Sequence, residues 1–204
     1  MGNDYLLNPV IFLVDTLFGL YILVVMLRFM LQMVRADFYN PFSQFLVKAT
    51  SPLLRPMRRI IPGWGGIDVS SLLLLLILQT ITIVIMILLI GGNLGSVSIA
   101  GLLMASVTKL VSLALYVYLF CLIILAVLSW VSAGGGYNPV AALISSITAP
   151  LLRPIRKLIP PAGMLDFSVL IGSLVLVIAR MLIMPPLQEL TVWLGFPRML
   201  ISLI

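Results

Sequence analysis

The chain has 204 residues, 62% of them hydrophobic and 9% charged, with a formal net charge of +6 and a mean hydropathy of +1.26. A soluble domain carries about a quarter charged residues and about half apolar ones, so these side chains could not cover a water-facing surface, whereas lipid as the solvent removes the difficulty. With no histidine and one cysteine (Cys121, inside an apolar run), the composition excludes a structural zinc site, an internal disulfide and a CxxC redox pair, and the six scattered acidic residues suggest no paired-carboxylate site.

A span needs about 20 predominantly apolar residues. The first candidate runs from about Pro9 to Val34, interrupted by Asp15 and Arg28. It has no positive segment before it and no clear cleavage site, so it is expected to be a retained span rather than a signal peptide.

A segment too short to span comes next. Asn40 before Pro41 reads as an N-cap and first helical residue, and Phe42, Phe45, Leu46 and Ala49 recur at helical spacing. Thr50-Ser51-Pro52 is expected to end this helix, lying in the interface or dipping in as a re-entrant piece. A second short helix would begin at Pro52, with Leu54, Met57 and Ile61 on one face and Arg55, Arg58 and Arg59 largely on the other. An amphipathic basic helix beside a span reads as a surface helix on anionic headgroups. Asp68 then caps the second span, Val69 to Ile90, with an ion pair to Arg55 as the lesser role.

The third span lies within Leu102 to Val131, and the chain after it repeats the first copy. Asn138-Pro139 stands 98 residues after Asn40-Pro41, and that offset holds without a gap to Asp166 and Ser168. Both copies read N-P, ten residues, P-L-L-R-P-x-R-[RK]-x-I-P, two residues, G, two residues, D-x-S, giving 14 identities in 31 positions. The prolines align throughout: Pro52, Pro56 and Pro62 with Pro150, Pro154 and Pro160. Arg153, Arg156 and Lys157 repeat the basic face opposite Leu152, Ile155 and Ile159. Duplication is the economical account, with repeats at residues 1–98 and 99–204.

The fourth span runs from about Phe167 to Met184 and is expected to stop at Pro185-Pro186. The remainder, to Ile204, reads as an outer interfacial helix or a docking piece for a neighbouring protomer, with Trp193 and Phe196 at headgroup level. Lysine and arginine concentrate in the first and third connections, which places those in the cytoplasm and both termini outside. Two spans per repeat make the copies parallel, so both Asn-Pro loops lie on one face. The inverted arrangement of the water-channel family, which also carries two Asn-Pro motifs, does not apply. The predicted fold is therefore an all-α membrane protein of four transmembrane helices, as two parallel tandem repeats, each with short amphipathic or re-entrant cytoplasmic helices.

Arg28 lies about two turns from the cytoplasmic end of the first span and is expected to snorkel. Asp15 is seven residues past Asn8, about 10 Å in from the outer face, and Arg180 fourteen past Asp166, about 21 Å from the inner face. At this common depth they are expected to form a salt bridge joining the first and last spans.

The doubled motif, together with Arg35-Ala36-Asp37-Phe38-Tyr39-Asn40-Pro41-Phe42-Ser43-Gln44-Phe45, resembles the YggT family, called YlmG in some bacteria and in plastids. The likeness covers essentially the whole chain and is closest to two-repeat proteobacterial members; Met33 departs from it, where tryptophan is common, as at Trp130. The resemblance implies a bacterial inner-membrane protein with associations to osmotic or cation stress, division-site or nucleoid organisation and, in plastids, cytochrome b6f maturation. It implies no catalytic residues.

Two functions stand as expectations. The first is a non-enzymatic, oligomeric membrane organiser whose basic cytoplasmic helices bind anionic lipid or partner proteins, such as other membrane or cell-division proteins. The alternative is a channel or transporter-like protein for ion or osmotic homeostasis. No cofactor, metal or nucleic acid is expected in either, because the basic residues flank apolar spans rather than line a soluble surface.

Overall fold

The computed structural model describes residues 4–61, 63, 66–131, 138–158 and 166–204. Six helices account for most of them: α1 (Asp4–Met33), α2 (Pro41–Ile60), α3 (Val69–Leu89), α4 (Ile99–Val131), α5 (Pro139–Leu158) and α6 (Phe167–Trp193). A single turn of 3₁₀ helix follows α3 (Leu94–Ser96), and a longer 3₁₀ segment follows α6 (Arg198–Leu203). Among the described residues four helices, α1, α3, α4 and α6, are long and apolar enough to cross a membrane. The 21 residues of α3 measure about 31 Å at 1.5 Å per residue, one hydrocarbon thickness.

The spans pack side by side in the order α1, α3, α4, α6. The duplication is visible in the packing, because α1 packs on α3 through the first repeat as α4 packs on α6 through the second. α2 and α5 lie at the same end, where the Asn40 side chain donates to the Pro139 carbonyl at 2.7 Å. The parallel arrangement of the two copies holds. Their contacts are not reciprocal, however: α5 also packs against α1, while no comparable seam joins α2 to α4 among the described residues.

α2 and α5 are each one continuous helix, not a pair broken at Pro52 and Pro150. Proline removes a donor and presses on the carbonyl four residues back. Pro52 and Pro56 lie four apart on the exposed side of α2, as do Pro150 and Pro154 on α5. The carbonyls deprived of a partner, on Lys48 and Pro52 in the first copy, therefore face out of the bundle, where water or headgroups satisfy them. α2 presents three surfaces: Ser43, Leu46, Thr50 and Leu54 are buried, Phe42, Phe45, Leu53 and Ile60 are exposed and apolar, and Lys48, Arg55 and Arg59 are exposed and charged. Its polar contacts with α1 fall on Arg28 and Gln32, within the last two turns of that span. It therefore runs across the end of the bundle rather than along it.

α6 likewise continues through Pro185 and Pro186 to Trp193. Both prolines and the residues they deprive, Met181 and Leu182, are exposed, so the freed carbonyls face out of the bundle rather than into it. After Trp193 the chain turns at Gly195, with φ of +94°, and its last turn docks on its own chain, not as a separate interfacial helix. Phe196, 1% exposed, and Leu200 insert among Ile83, Ile87 and Ala105. Trp193 stays 81% exposed, as a headgroup-level residue requires; Phe196 does not. Small residues on α4 permit this docking, since a Cβ on Gly101 would lie 2.6 Å from the Phe196 nitrogen. Two hydroxyl pairs tie α4 to its neighbours, Ser106 with Thr80 on α3 at 2.9 Å and Thr108 with Thr191 on α6 at 3.0 Å.

Candidate functional site: two joined basic helices

The repeated motif builds the same fastening twice. The Asn40 side chain accepts from the Phe42 amide at 2.9 Å, and Asn138 accepts from Val140 at 3.0 Å and Ala141 at 3.3 Å, each starting its helix as an N-cap. At the other end of α2 and of α5 an arginine reaches the cap of the next span. Arg58 pairs with Asp68 and also donates to Gln32 at 3.2 Å; Arg156 pairs with Asp166 at 2.7 Å. Asp68 accepts from the Ser71 amide at 3.3 Å and its hydroxyl at 2.6 Å, and Asp166 from the Ser168 amide at 3.0 Å. The caps thus also carry the ion pairs, and their partners are Arg58 and Arg156 rather than Arg55 and Arg153. Pro62, Pro160 and Ile159, also part of the predicted motif, lie outside the described residues.

The two carboxylates titrate below the usual carboxylate range. Burial alone would push Asp68 up, but hydrogen bonds from Arg58 and Ser71 and the Arg58 charge outweigh it. At Asp166 burial again pushes up and is outweighed by Arg156 and Ser168. The Asp68 side chain is 3% exposed and that of Asp166 16%, so the first fastening is the more desolvated.

With Arg58 and Arg156 engaged, Arg55, Arg59, Arg153 and Lys157 are left exposed, without an ion pair among the described residues. Beside them a recess of about 660 Å³ is lined by Phe38, Gln44, Lys48, Ser51 and Arg55. It holds two cations and no carboxylate.

Arg28 does not snorkel. It is 5% exposed and donates to the Thr50 hydroxyl and, at 3.3 Å, to the Val47 carbonyl. The Thr50 hydroxyl in turn donates a hydrogen bond to the Leu46 carbonyl at 2.7 Å. A buried guanidinium thus clamps the middle of α2 to α1. Neither residue alone signals this in the sequence; the repetition of threonine as Thr50 and Thr148, both fully buried, is the one available hint.

Asp15 and Arg180 are not brought together. Asp15 lies 3.7 Å from Lys109 on α4, the side chains being 53% and 29% exposed. The Arg180 guanidinium stacks 4.4 Å from the ring centroid of Tyr116, and its Nε is buried without a hydrogen-bond partner. Neither depth nor neighbours match: Lys109 and Tyr116 lie seven residues apart on α4, about 10 Å, and no α1–α6 seam is present among the described residues. Among the described residues, no group of three or more Cys, Asp or Glu side chains converges as a metal site would require.

The family model described as CCB3/YggT matches the chain twice, over residues 7–89 and 104–187. The chain is 50% identical over 190 residues to the uncharacterized protein PA0392 of Pseudomonas aeruginosa, covering 93% of this chain and 94% of that one. It is 45% identical over 166 residues to an uncharacterized protein from the proC 3′ region of Vibrio alginolyticus, covering 81% and 88%. It is 40% identical over 182 residues to the uncharacterized protein YggT of Escherichia coli K12, covering 89% and 93%. No solved structure matches.

Proposed function

The chain belongs to the CCB3/YggT family, and from its geometry we propose a non-enzymatic organiser of the bacterial inner membrane. In this reading both termini are periplasmic, and α2 and α5 form one basic cytoplasmic face that binds anionic headgroups or partner proteins. The observation that carries it is the joining of the two helices through Asn40 and Pro139, with Arg55, Arg59, Arg153 and Lys157 left exposed around them. Arg58 and Arg156 hold the helices in place, which divides the basic residues into fasteners and free charges. Each free charge near an anionic leaflet contributes about 1 kcal/mol, so four together give a strong and salt-sensitive attraction.

The test is reconstitution into nanodiscs of phosphatidylglycerol and phosphatidylcholine, with the lipids retained after mild detergent washing weighed by mass spectrometry. Replacing Arg55, Arg59, Arg153 and Lys157 by glutamine should abolish the enrichment of phosphatidylglycerol, whereas enrichment unchanged by the four substitutions would reject the headgroup reading.

A channel or transporter is the second reading. It is favoured by two buried polar atoms without partners within the spans, the Gln79 side-chain nitrogen and Arg180 Nε. Ion and water flux into liposomes decides between them. The organiser reading expects none above protein-free vesicles; flux that Gln79→Leu abolishes would replace it.

A further inference from the structure

A groove of about 720 Å³ opens between α1, α4 and α5, and its dimensions select an occupant. Its wall along α4 runs from Leu113 to Ile124, about 16 Å at 1.5 Å per residue. Half a hydrocarbon core is about 15 Å. The groove is therefore one leaflet deep. Its foot is at Phe42 and Val140, at the starts of α2 and α5, and its upper end is at Leu113 and Tyr116, so it belongs to the leaflet that holds the amphipathic helices.

The lining is aliphatic and aromatic apart from the Tyr116 hydroxyl and the Cys121 thiol. Water would find no set of hydrogen-bonding partners there. The protein's own C-terminal segment does not fill it, because Phe196 and Leu200 are docked with Ile83, Ile87 and Ala105. A spanning helix from a second copy would run the full core of about 30 Å, whereas this groove closes after about 16 Å at Leu113 and Tyr116. A methylene chain at carbon contact distances of about 4 Å fills roughly 250 Å³ over the same length, so two chains fit with room to pack.

We propose that this groove is a binding site for the two acyl chains of one phospholipid of that leaflet, with the glycerol end at Phe42 and Val140 and the chain ends at Tyr116. The asymmetry of the repeats explains its position: α5 packs on α1 and forms its floor, and no matching α2–α4 seam is present among the described residues of the first repeat. The site recognises chain rather than charge, and it stands whether or not the basic helices bind anionic headgroups.

The experiment uses the full chain in vesicles containing a phosphatidylethanolamine that carries a photoreactive diazirine on one acyl chain. After irradiation, adducts are located by mass spectrometry. A diazirine near the chain end should label 113–117, and one near the carbonyl should label 140–144. Both adducts should exceed, by about tenfold, those at Phe12 and Leu182, which are exposed on other surfaces of the spans. Leu27→Trp and Ile124→Trp enlarge half-buried groove residues from opposite walls; each should remove the groove adducts and leave those at Phe12 and Leu182 unchanged. If one variant fails to fold, the other and the ratio in the native chain still decide. Groove labelling no greater than at Phe12, the reverse order of labelling along the groove, or cross-linked dimers in place of lipid adducts would each overturn the proposal.

Discussion

Arg28 and Thr50 give the sharpest quantitative test of how α2 is held. Thr50→Val keeps the side-chain shape but removes the acceptor, leaving a 5%-exposed guanidinium with the Val47 carbonyl at 3.3 Å as its remaining hydrogen-bond partner. A hydrogen bond to a charged group contributes about 1.5–3 kcal/mol, so the variant should lose about 2 kcal/mol, or about 4–8 °C in Tm for a chain of this size. Arg28→Met removes the ion together with its desolvation cost, and the Thr50 hydroxyl keeps its bond to Leu46. That variant should stay within about 1 kcal/mol of the native chain. The double variant should match Arg28→Met alone, because Thr50 matters only while the cation is present, a coupling of about 2 kcal/mol. Thermal unfolding of the four proteins in one detergent measures the cycle. A Thr50→Val protein as stable as the native one, or losses that simply add, would refute the clamp.

Lowering the pH should destabilise the protein below about pH 4. Asp68 and Asp166 have folded pKa values below their unfolded ones, so their contribution is present above the unfolded value and is lost as pH falls through the folded one. Asp68→Asn should flatten that part of the Tm-versus-pH curve more than Asp166→Asn, and equal effects would show that the difference in burial does not matter. Asp15→Asn and Arg180→Gln should act additively on Tm, since the structure separates them, while Asp15→Asn and Lys109→Gln should show a coupling below about 1 kcal/mol, as expected of a half-exposed pair. Gly101→Ala places a Cβ 2.6 Å from Phe196 N and 2.8 Å from Gly195 C. Backbone atoms on both sides cannot yield, so the substitution should cost about 1–3 kcal/mol and expose residues 196–204 to carboxypeptidase; an unchanged digestion rate would contradict the docking.

Legibility in the sequence depends on which quantities are linear along the chain. Apolar runs of about 20 residues located all four spans, and the 98-residue offset made the copies parallel. The same offset makes the Arg58–Asp68 and Arg156–Asp166 pairs a matched set, one arginine and one cap ten residues apart in each copy. Choosing among neighbouring arginines needs something more, namely how the connection folds back, and Arg55 and Arg153 lie a turn too early in their helices to reach the caps. The proline rule fails at Pro52, Pro150 and Pro185 for one reason. It assumes that the proline and the carbonyl it orphans are packed inside the bundle, and these prolines all lie on exposed faces.

Azimuth and neighbour order are the quantities hidden from the sequence. Residue number times rise puts Asp15 and Arg180 at one depth, but their partners Lys109 and Tyr116 lie about 10 Å apart along α4, and no α1–α6 seam is present among the described residues. The features without a twin are the hardest to foresee, since duplication predicts only what both copies share. Arg28 is one such feature, its counterpart 98 residues on being Ala126; the docked C-terminal turn and the α1–α5 seam are others. These asymmetries arise wherever two like copies meet without closing a reciprocal interface. In this chain they hold α2 by a buried cation and leave the floor of the groove on α5, so the two parts without a twin are those that set the first helix in place and shape the apolar site.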